Sequence, residues 1–136
     1  GSVALIGFGA DSLIEGGEVS LTYGELAERA ARLAAALAGG GVGPGDRVAI
    51  MLSNAGSAEA HVAYHATHHL GAINVPINVF YVERELQYAL GFIQPAAVVF
   101  GSEFAALVWA SIDSASWWNG TWRTRTRRSF AATRSG

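Results

Sequence analysis

Apolar residues Leu26, Ala30, Leu33 and Leu37 recur at intervals of four, three and four, the spacing that lines one face of an α-helix. Thr22 and Glu25, three residues apart just before this run, have the spacing of a capping box, in which hydroxyl and carboxylate satisfy the first free N–H groups. Glu25 with Arg29 and Glu28 with Arg32 form i,i+4 pairs on the wet side, each contributing about 0.2–0.5 kcal/mol. Gly39 to Gly41 end the helix.

The pattern then changes period. "GVGPGDRVAIML" is a Gly/Pro turn followed by an unbroken apolar run from Val48 to Leu52, as expected of a strand buried between helix layers. Residues 57–70 form a second helical stretch, and "AINVPI" is a short strand that Pro76 ends or confines to an edge. "VERELQYAL" is helical, with Leu86 and Leu90 at i,i+4, and Gln94-Pro95 makes a turn before "AAVVF", another buried strand. "SEFAALV" opens one more helix, with Ser102 as its expected cap. "VALIGF" near the start and "VSLT" before Thr22 supply two short flanking strands. Strands alternating with helices predict an α/β fold: βα repeats forming a mainly parallel sheet flanked by helices. After about Trp109 the regularity stops. The chain therefore divides into an α/β part, residues 1–108, and a Trp/Arg-rich tail, residues 109–136, expected to be disordered or the product of a shifted reading frame.

Composition sharpens that division. Of 136 residues, about half are apolar, enough for a useful core in one domain or part of a larger one. The net charge of −2 hides an asymmetry: residues 1–113 carry all 11 acids and four of the nine arginines, leaving −7. Residues 114–136 carry the other five arginines and no acid, leaving +5. There is no cysteine, which removes disulfides, thiolate catalysis and Cys-based zinc sites. No apolar run approaches the roughly 20 residues that span a bilayer. The opening "GSVALIGFGA" has no basic residue before its apolar run, so a secretory leader is not expected and a cytoplasmic protein is.

Four histidines, His61, His65, His68 and His69, lie within nine residues and share an arc of about 100° on the second helix. His61 and His65 at i,i+4 could share a divalent ion, but Val62 stands where an HExxH motif needs its Glu. A zinc site also wants a further non-local ligand. The preferred reading is a polar helix face. "GFGADS" at residues 7–12 begins like a dinucleotide fingerprint, but Ser12 replaces the third glycine and no helical pattern follows. Without a lysine no GxxxxGK[ST] phosphate loop can exist, and "GGGVGPGD" is a helix stop and turn. Asn119-Gly120-Thr121 has glycosylation spacing, which means little without a leader. The tail's "WRTRTRRSF" mixes Arg with aromatics in a way that can hold phosphates and stack bases. Short Arg-rich ends are more commonly solvated, so no nucleic-acid partner is expected.

Residues 21–100 carry a resemblance. "LTYGELAERAARLAAALAGGGVGPGDRVAIMLSN", then "GAINVPINVFYVERELQYAL" and "PAAVVF", are similar to the N-terminal part of the adenylate-forming (AMP-binding) synthetases, most like the acyl-CoA synthetases. The matching features are the "LTYGEL" helix start, the "GVGPGDRVAIML" turn and strand, Asn54 after it, and "GAINVPIN" after the next helix. Blocks agree in order and spacing over roughly residues 3–108. The His-rich helix is unusual for the family, and Val79 follows Asn78 where the family often has Pro.

The resemblance implies an incomplete N-terminal subdomain of a ligase. The full-length family activates a carboxylic acid with ATP and Mg²⁺, forms an acyl-adenylate, releases pyrophosphate, and passes the acyl group to CoA. Its Ser/Thr/Gly-rich phosphate loop, aromatic-Thr-Glu motif, adenosine-binding Asp and C-terminal catalytic Lys have no counterpart in this chain. Matching residues are framework: Tyr23 and Leu26 in packing, Gly45-Asp46 in a turn, Pro76 and Asn78 shaping the chain after a strand. No residue is assigned as catalytic, cofactor-binding or metal-ligating, and the fragment is expected to bind no cofactor and to be inactive alone. Alternatives are a non-catalytic α/β binding or interaction module and, behind it, a histidine–metal protein. A truncated sheet is expected to expose an edge through which copies associate.

Overall fold

Thr22 begins the first helix as its side chain dictates. Its hydroxyl accepts from the Glu25 N–H at 3.1 Å while the Glu25 carboxylate accepts from the Thr22 N–H at 3.4 Å. The computed structural model describes residues 4–8, 22–53, 58–113, 115–117, 120–126 and 129–134. Helix α1 (Tyr23–Gly39) turns Ala30, Leu33, Ala34 and Leu37 inward. At its end the Gly40 N–H reaches Ala36 and Leu37 carbonyls, and the Val42 N–H returns to Leu37. Gly41 at φ 97° makes this reversal possible, since a side chain there would be strained. Arg32 pairs with Glu28 as the spacing predicts. Glu25, by contrast, spends its carboxylate on the cap.

The remaining elements follow in alternation. Strand β1 (Ala4–Phe8) precedes α1; β2 (Arg47–Met51), α2 (Ala58–His69), β3 (Ile73–Pro76), α3 (Glu83–Ile93) and β4 (Ala97–Gly101) come after it. A 3₁₀ turn at Ser102–Phe104 leads into α4 (Ala105–Ile112), and β5 (Gly120–Thr126) and β6 (Ser129–Arg134) complete the chain. The strands form a six-stranded sheet ordered β3-β2-β4-β1-β6-β5. β3, β2, β4 and β1 are mutually parallel, β6 adds antiparallel to β1, and β5 adds antiparallel to β6. The mainly parallel α/β sheet expected from the sequence is therefore present.

Because side chains alternate across a strand, the unbroken apolar runs feed two cores at once. Val48, Ile50, Ala97 and Val99 meet Leu33, Ala34 and Leu37 of α1 and Val62, Ala63 and Ala66 of α2. Ala49, Met51, Val98 and Phe100 meet Leu86 and Leu90 of α3 and Val108 and Ile112 of α4. The result is three layers: α1 with α2, the sheet, and α3 with α4. Phe100, Leu37, Met51, Leu86 and Leu90 are fully buried, so each core has an anchor of its own.

One expectation needs correction. Ser102 does not cap a helix through its side chain: the chain first makes the 3₁₀ turn, and neither it nor α4 has a side-chain cap. Within residues 109–134 the described segments carry regular elements. α4 runs on to Ile112, and the backbones of β5 and β6 form a hairpin. Trp109 and Trp117 pack against the α3/α4 core, and a methyl built on Gly91 would stand 3.8 Å from Trp117 Nε1. A period-of-3.6 search misses a short Trp-rich segment that closes over an existing core. Of "VSLT", residues 19–21 lie outside the described residues, and Thr22 is the N-cap of α1.

Candidate functional site

In open parallel sheets, ligands bind beyond the carboxyl ends of the strands, where neighbouring crossovers leave on opposite faces. Here that place is between β2 and β4. From β2 the chain passes through α2 on one face to β3, and from β3 through α3 on the other face to β4. The polar residues described near these ends are Ser53 after β2, Asn78 after β3, and Ser102 and Glu103 after β4. Asn54 lies outside the described residues.

Two of these groups have a local structural task. Asn78 Oδ1 accepts from the Phe80 N–H at 2.9 Å and its carbonyl accepts from the Tyr81 N–H at 3.2 Å, a side-chain turn that reverses the chain after β3. The Glu103 carboxylate folds back over Gly101, with Oε1 2.6 Å from where a Cβ on that glycine would stand. No nucleophile is paired with a base among these described groups.

The histidines occupy the opposite kind of setting. Val62, Ala63, Ala66 and Thr67 turn inward on α2, while His61, His65, His68 and His69 are exposed. Thr67 is tolerated in the core because its hydroxyl donates within the helix, 3.0 Å from the Ala63 carbonyl and 2.9 Å from that of Tyr64. His65 and His69 line one side of an open trough of about 420 Å³ between α1 and α2; Tyr23, Leu26, Ala27 and Ala30 line the other. Tyr23 is 92% exposed, which corrects the packing role expected for it: at the first position of α1 it stands at the trough's rim. Leu26 does pack against the α1/α2 core. Among the described residues no three His, Asp or Glu side chains converge as a metal site would require.

The other sequence candidates are placed as framework. Gly7 lies within β1, whereas Gly9 and Ser12 fall outside the described residues. Gly45 at φ 79° makes the turn before β2 and donates to the Gly71 carbonyl at 2.9 Å, while Asp46 accepts from the Gly43 N–H at 2.8 Å. Arg47 Nε donates to the Ile93 carbonyl at 2.8 Å, so this cation serves the end of α3. Pro76 ends β3. Gly120, Thr121, Arg123 and Arg125 lie in β5, and Asn119, Arg127 and Arg128 are outside the described residues.

The same order of turn, strand and helix recurs in known proteins. A sequence profile of the family described as AMP-binding enzyme matches residues 2–123. The chain belongs to the AMP-binding enzyme family. Its match runs beyond residue 108, into the segment that composition set apart. A 3-oxocholest-4-en-26-oate–CoA ligase of Rhodococcus rhodochrous is 47% identical over 68 residues, covering 50% of this chain and 12% of that protein. A feruloyl-CoA synthase of an Amycolatopsis species is 38% identical over 96 residues, covering 68% of this chain and 18% of that one. Among solved structures, a benzoate CoA ligase from Burkholderia xenovorans LB400 superimposes with a TM-score of 0.66 at 30% identity, over 71% of this chain and 19% of its own. The chain thus corresponds to an N-terminal part of an adenylate-forming acyl-CoA synthetase and spans less than a fifth of these relatives.

The sequence reading of this AMP-binding segment overlooked two surfaces. The α1/α2 trough needed the partner helix to be placed. The outward side of α3 was readable, since Tyr88 and Phe92 are spaced i,i+4 as Leu86 and Leu90 are.

Proposed function

We propose that this chain is one wall of an ATP-dependent acyl-CoA synthetase and is inactive by itself. In the full-length enzyme, ATP with Mg²⁺ activates a carboxylic acid as its acyl-adenylate, and CoA then takes the acyl group. The observation that carries the reading is the family match over residues 2–123, joined to a sheet that superimposes on under a fifth of a benzoate CoA ligase. The absence of any lysine supports inactivity, because the full-length family ends its phosphate loop near one lysine and brings a second, catalytic one from its C-terminal domain. Purified chain, incubated with ATP, Mg²⁺ and a fatty or aromatic acid, is expected to release no pyrophosphate above a protein-free blank. Release that scales with chain concentration would sink the reading.

The reading extends to the ends of the sheet and chain. β3 is an edge strand and Ile73 on it is 51% exposed, so copies associate through this edge, although four residues and Pro76 keep it short. The cytoplasm is the proposed location. Among the described residues no helix is long and apolar enough to cross a membrane. For residues 124–136, beyond the family match, we propose an origin in a shifted frame. Translating the nucleotides downstream of codon 123 in all three frames is expected to uncover a Ser/Thr/Gly-rich loop ending near a lysine, and its absence from every frame defeats that origin.

A further inference from the structure

The outward face of α2 is built differently from that of its neighbour α1. Its exposed described residues are His61, Tyr64, His65, His68 and His69, with no carboxylate or guanidinium among them. On α1 the exposed positions include Tyr23, Glu25, Glu28, Arg29 and Arg32. Both faces are wet and both carry a tyrosine, so neither exposure nor aromatic content separates them. The difference is that α2 meets water through imidazoles, and imidazole is the commonest metal ligand among side chains.

Spacing decides which imidazoles can act together. Residues i and i+4 stand one turn apart on the same face, with Cβ atoms about 5–6 Å apart. Two rings converging across that gap can hold one ion at about 2.0–2.1 Å from each nitrogen. His65 is four residues from His61, three from His68 and four from His69, so every histidine pair of this spacing on the helix includes it.

Two further features single out His65 with His69. Together they line the open trough of about 420 Å³ between α1 and α2, and neither His61 nor His68 does. The described residues across the trough, Tyr23, Leu26, Ala27, Ala30 and Ala31, bring no cation to repel an ion, and the space leaves room for coordinated water. His69 also closes α2, and the carbonyl end of a helix favours a positive charge.

We infer that His65 and His69 form an open two-imidazole chelate for a divalent transition-metal ion of the class that imidazole suits, Ni²⁺, Cu²⁺ or Zn²⁺. Among the described residues no cage of three or more His, Asp or Glu side chains exists, so water completes the shell and the ion exchanges with solvent. The bound ion ties the last two turns of α2 together. The inference stands apart from the synthetase reading, since it needs only a folded α2 beside α1.

The probe is Ni²⁺ alone, titrated calorimetrically into the untagged 136-residue chain at about pH 8, because metal ligands must be deprotonated. Wild type is expected to take up one ion per chain in the micromolar range. His65→Gln and His69→Gln should each weaken binding at least about tenfold, since losing even a group that supports a ligand costs about 10–100-fold. His61→Gln and His68→Gln should stay within about threefold of wild type. A second readout needs no substitution: Ni²⁺ is expected to shield His65 and His69, but not His68, from diethyl pyrocarbonate. Because the pair exists only while α2 is folded, the ion should also raise the unfolding midpoint of wild type and leave that of His65→Gln unmoved. No saturable uptake below about 1 mM, equal affinity of wild type and His65→Gln, an unmoved wild-type midpoint, or equal shielding of all four histidines overturns the chelate. Binding lost in His61→Gln or His68→Gln but kept in His69→Gln moves the ion out of the trough and overturns this pairing.

Discussion

The two helix layers rest on the same sheet and bury comparable apolar anchors, yet their outer surfaces differ in kind. The α1/α2 layer presents carboxylates, guanidinium groups and imidazoles together with exposed Tyr23 and Tyr64, and alanines line its trough. The α3/α4 layer presents Tyr88 and Phe92 and receives Trp109 and Trp117 from the following segment. Burial beneath a layer reports on folding, while the outward pattern reports on what the layer faces. On α3 the two separate within one helix: Leu86 and Leu90 are fully buried, whereas Tyr88 and Phe92 stand exposed.

Substitutions can break or sharpen this contrast. Phe100→Ala beneath α3/α4 is expected to cost about 3–5 kcal/mol, and Leu37→Ala beneath α1/α2 about 2–5 kcal/mol, because each empties a fully buried site. Urea unfolding of both variants compares the layers directly: a loss below about 1 kcal/mol at either position means that its layer is not packed as described. A smaller effect belongs to the cap of α1. Thr22→Ala removes the acceptor for the Glu25 N–H and should cost about 1 kcal/mol, whereas Thr22→Ser, which restores it, should cost little. Smallest of all are the outward positions. Phe92→Ser and His65→Gln should each leave stability within about 0.5 kcal/mol of wild type. A Phe92→Ser loss as large as that of Phe100→Ala would place Phe92 inside the free chain and erase the difference between the layers.

Periodicity revealed most of the α/β part because each element there obeys its local rules. The spacing of Leu26, Ala30, Leu33 and Leu37 defines α1, and Thr22 and Glu25 mark its start. The run from Val48 is apolar at every position because both faces of β2 are covered, a signal tied to the parallel sheet itself. Failures came where tertiary contact overrides composition. Ser102 has the chemistry of a cap, but the chain makes a 3₁₀ turn there before α4 begins. Trp117 belongs to a segment without period and still finds a place beside Gly91. Tyr23 sits in a family-like block but is exposed at the first position of α1. The chemistry of the candidate site was legible mainly through the missing lysine; that Ser53 follows one strand and Ser102 and Glu103 its neighbour in the sheet depends on strand order, which spacing along the chain does not encode.

Arg47 joins segments far apart in sequence. Its guanidinium holds the Ile93 carbonyl, and its own carbonyl accepts from the Ala96 N–H at 2.8 Å. One residue thus clasps both the exit of α3 and the approach to β4, across a separation of 46 residues. The pairing of β2 with β4 is therefore fastened at the amino ends of both strands, the rim opposite Ser53 and Ser102.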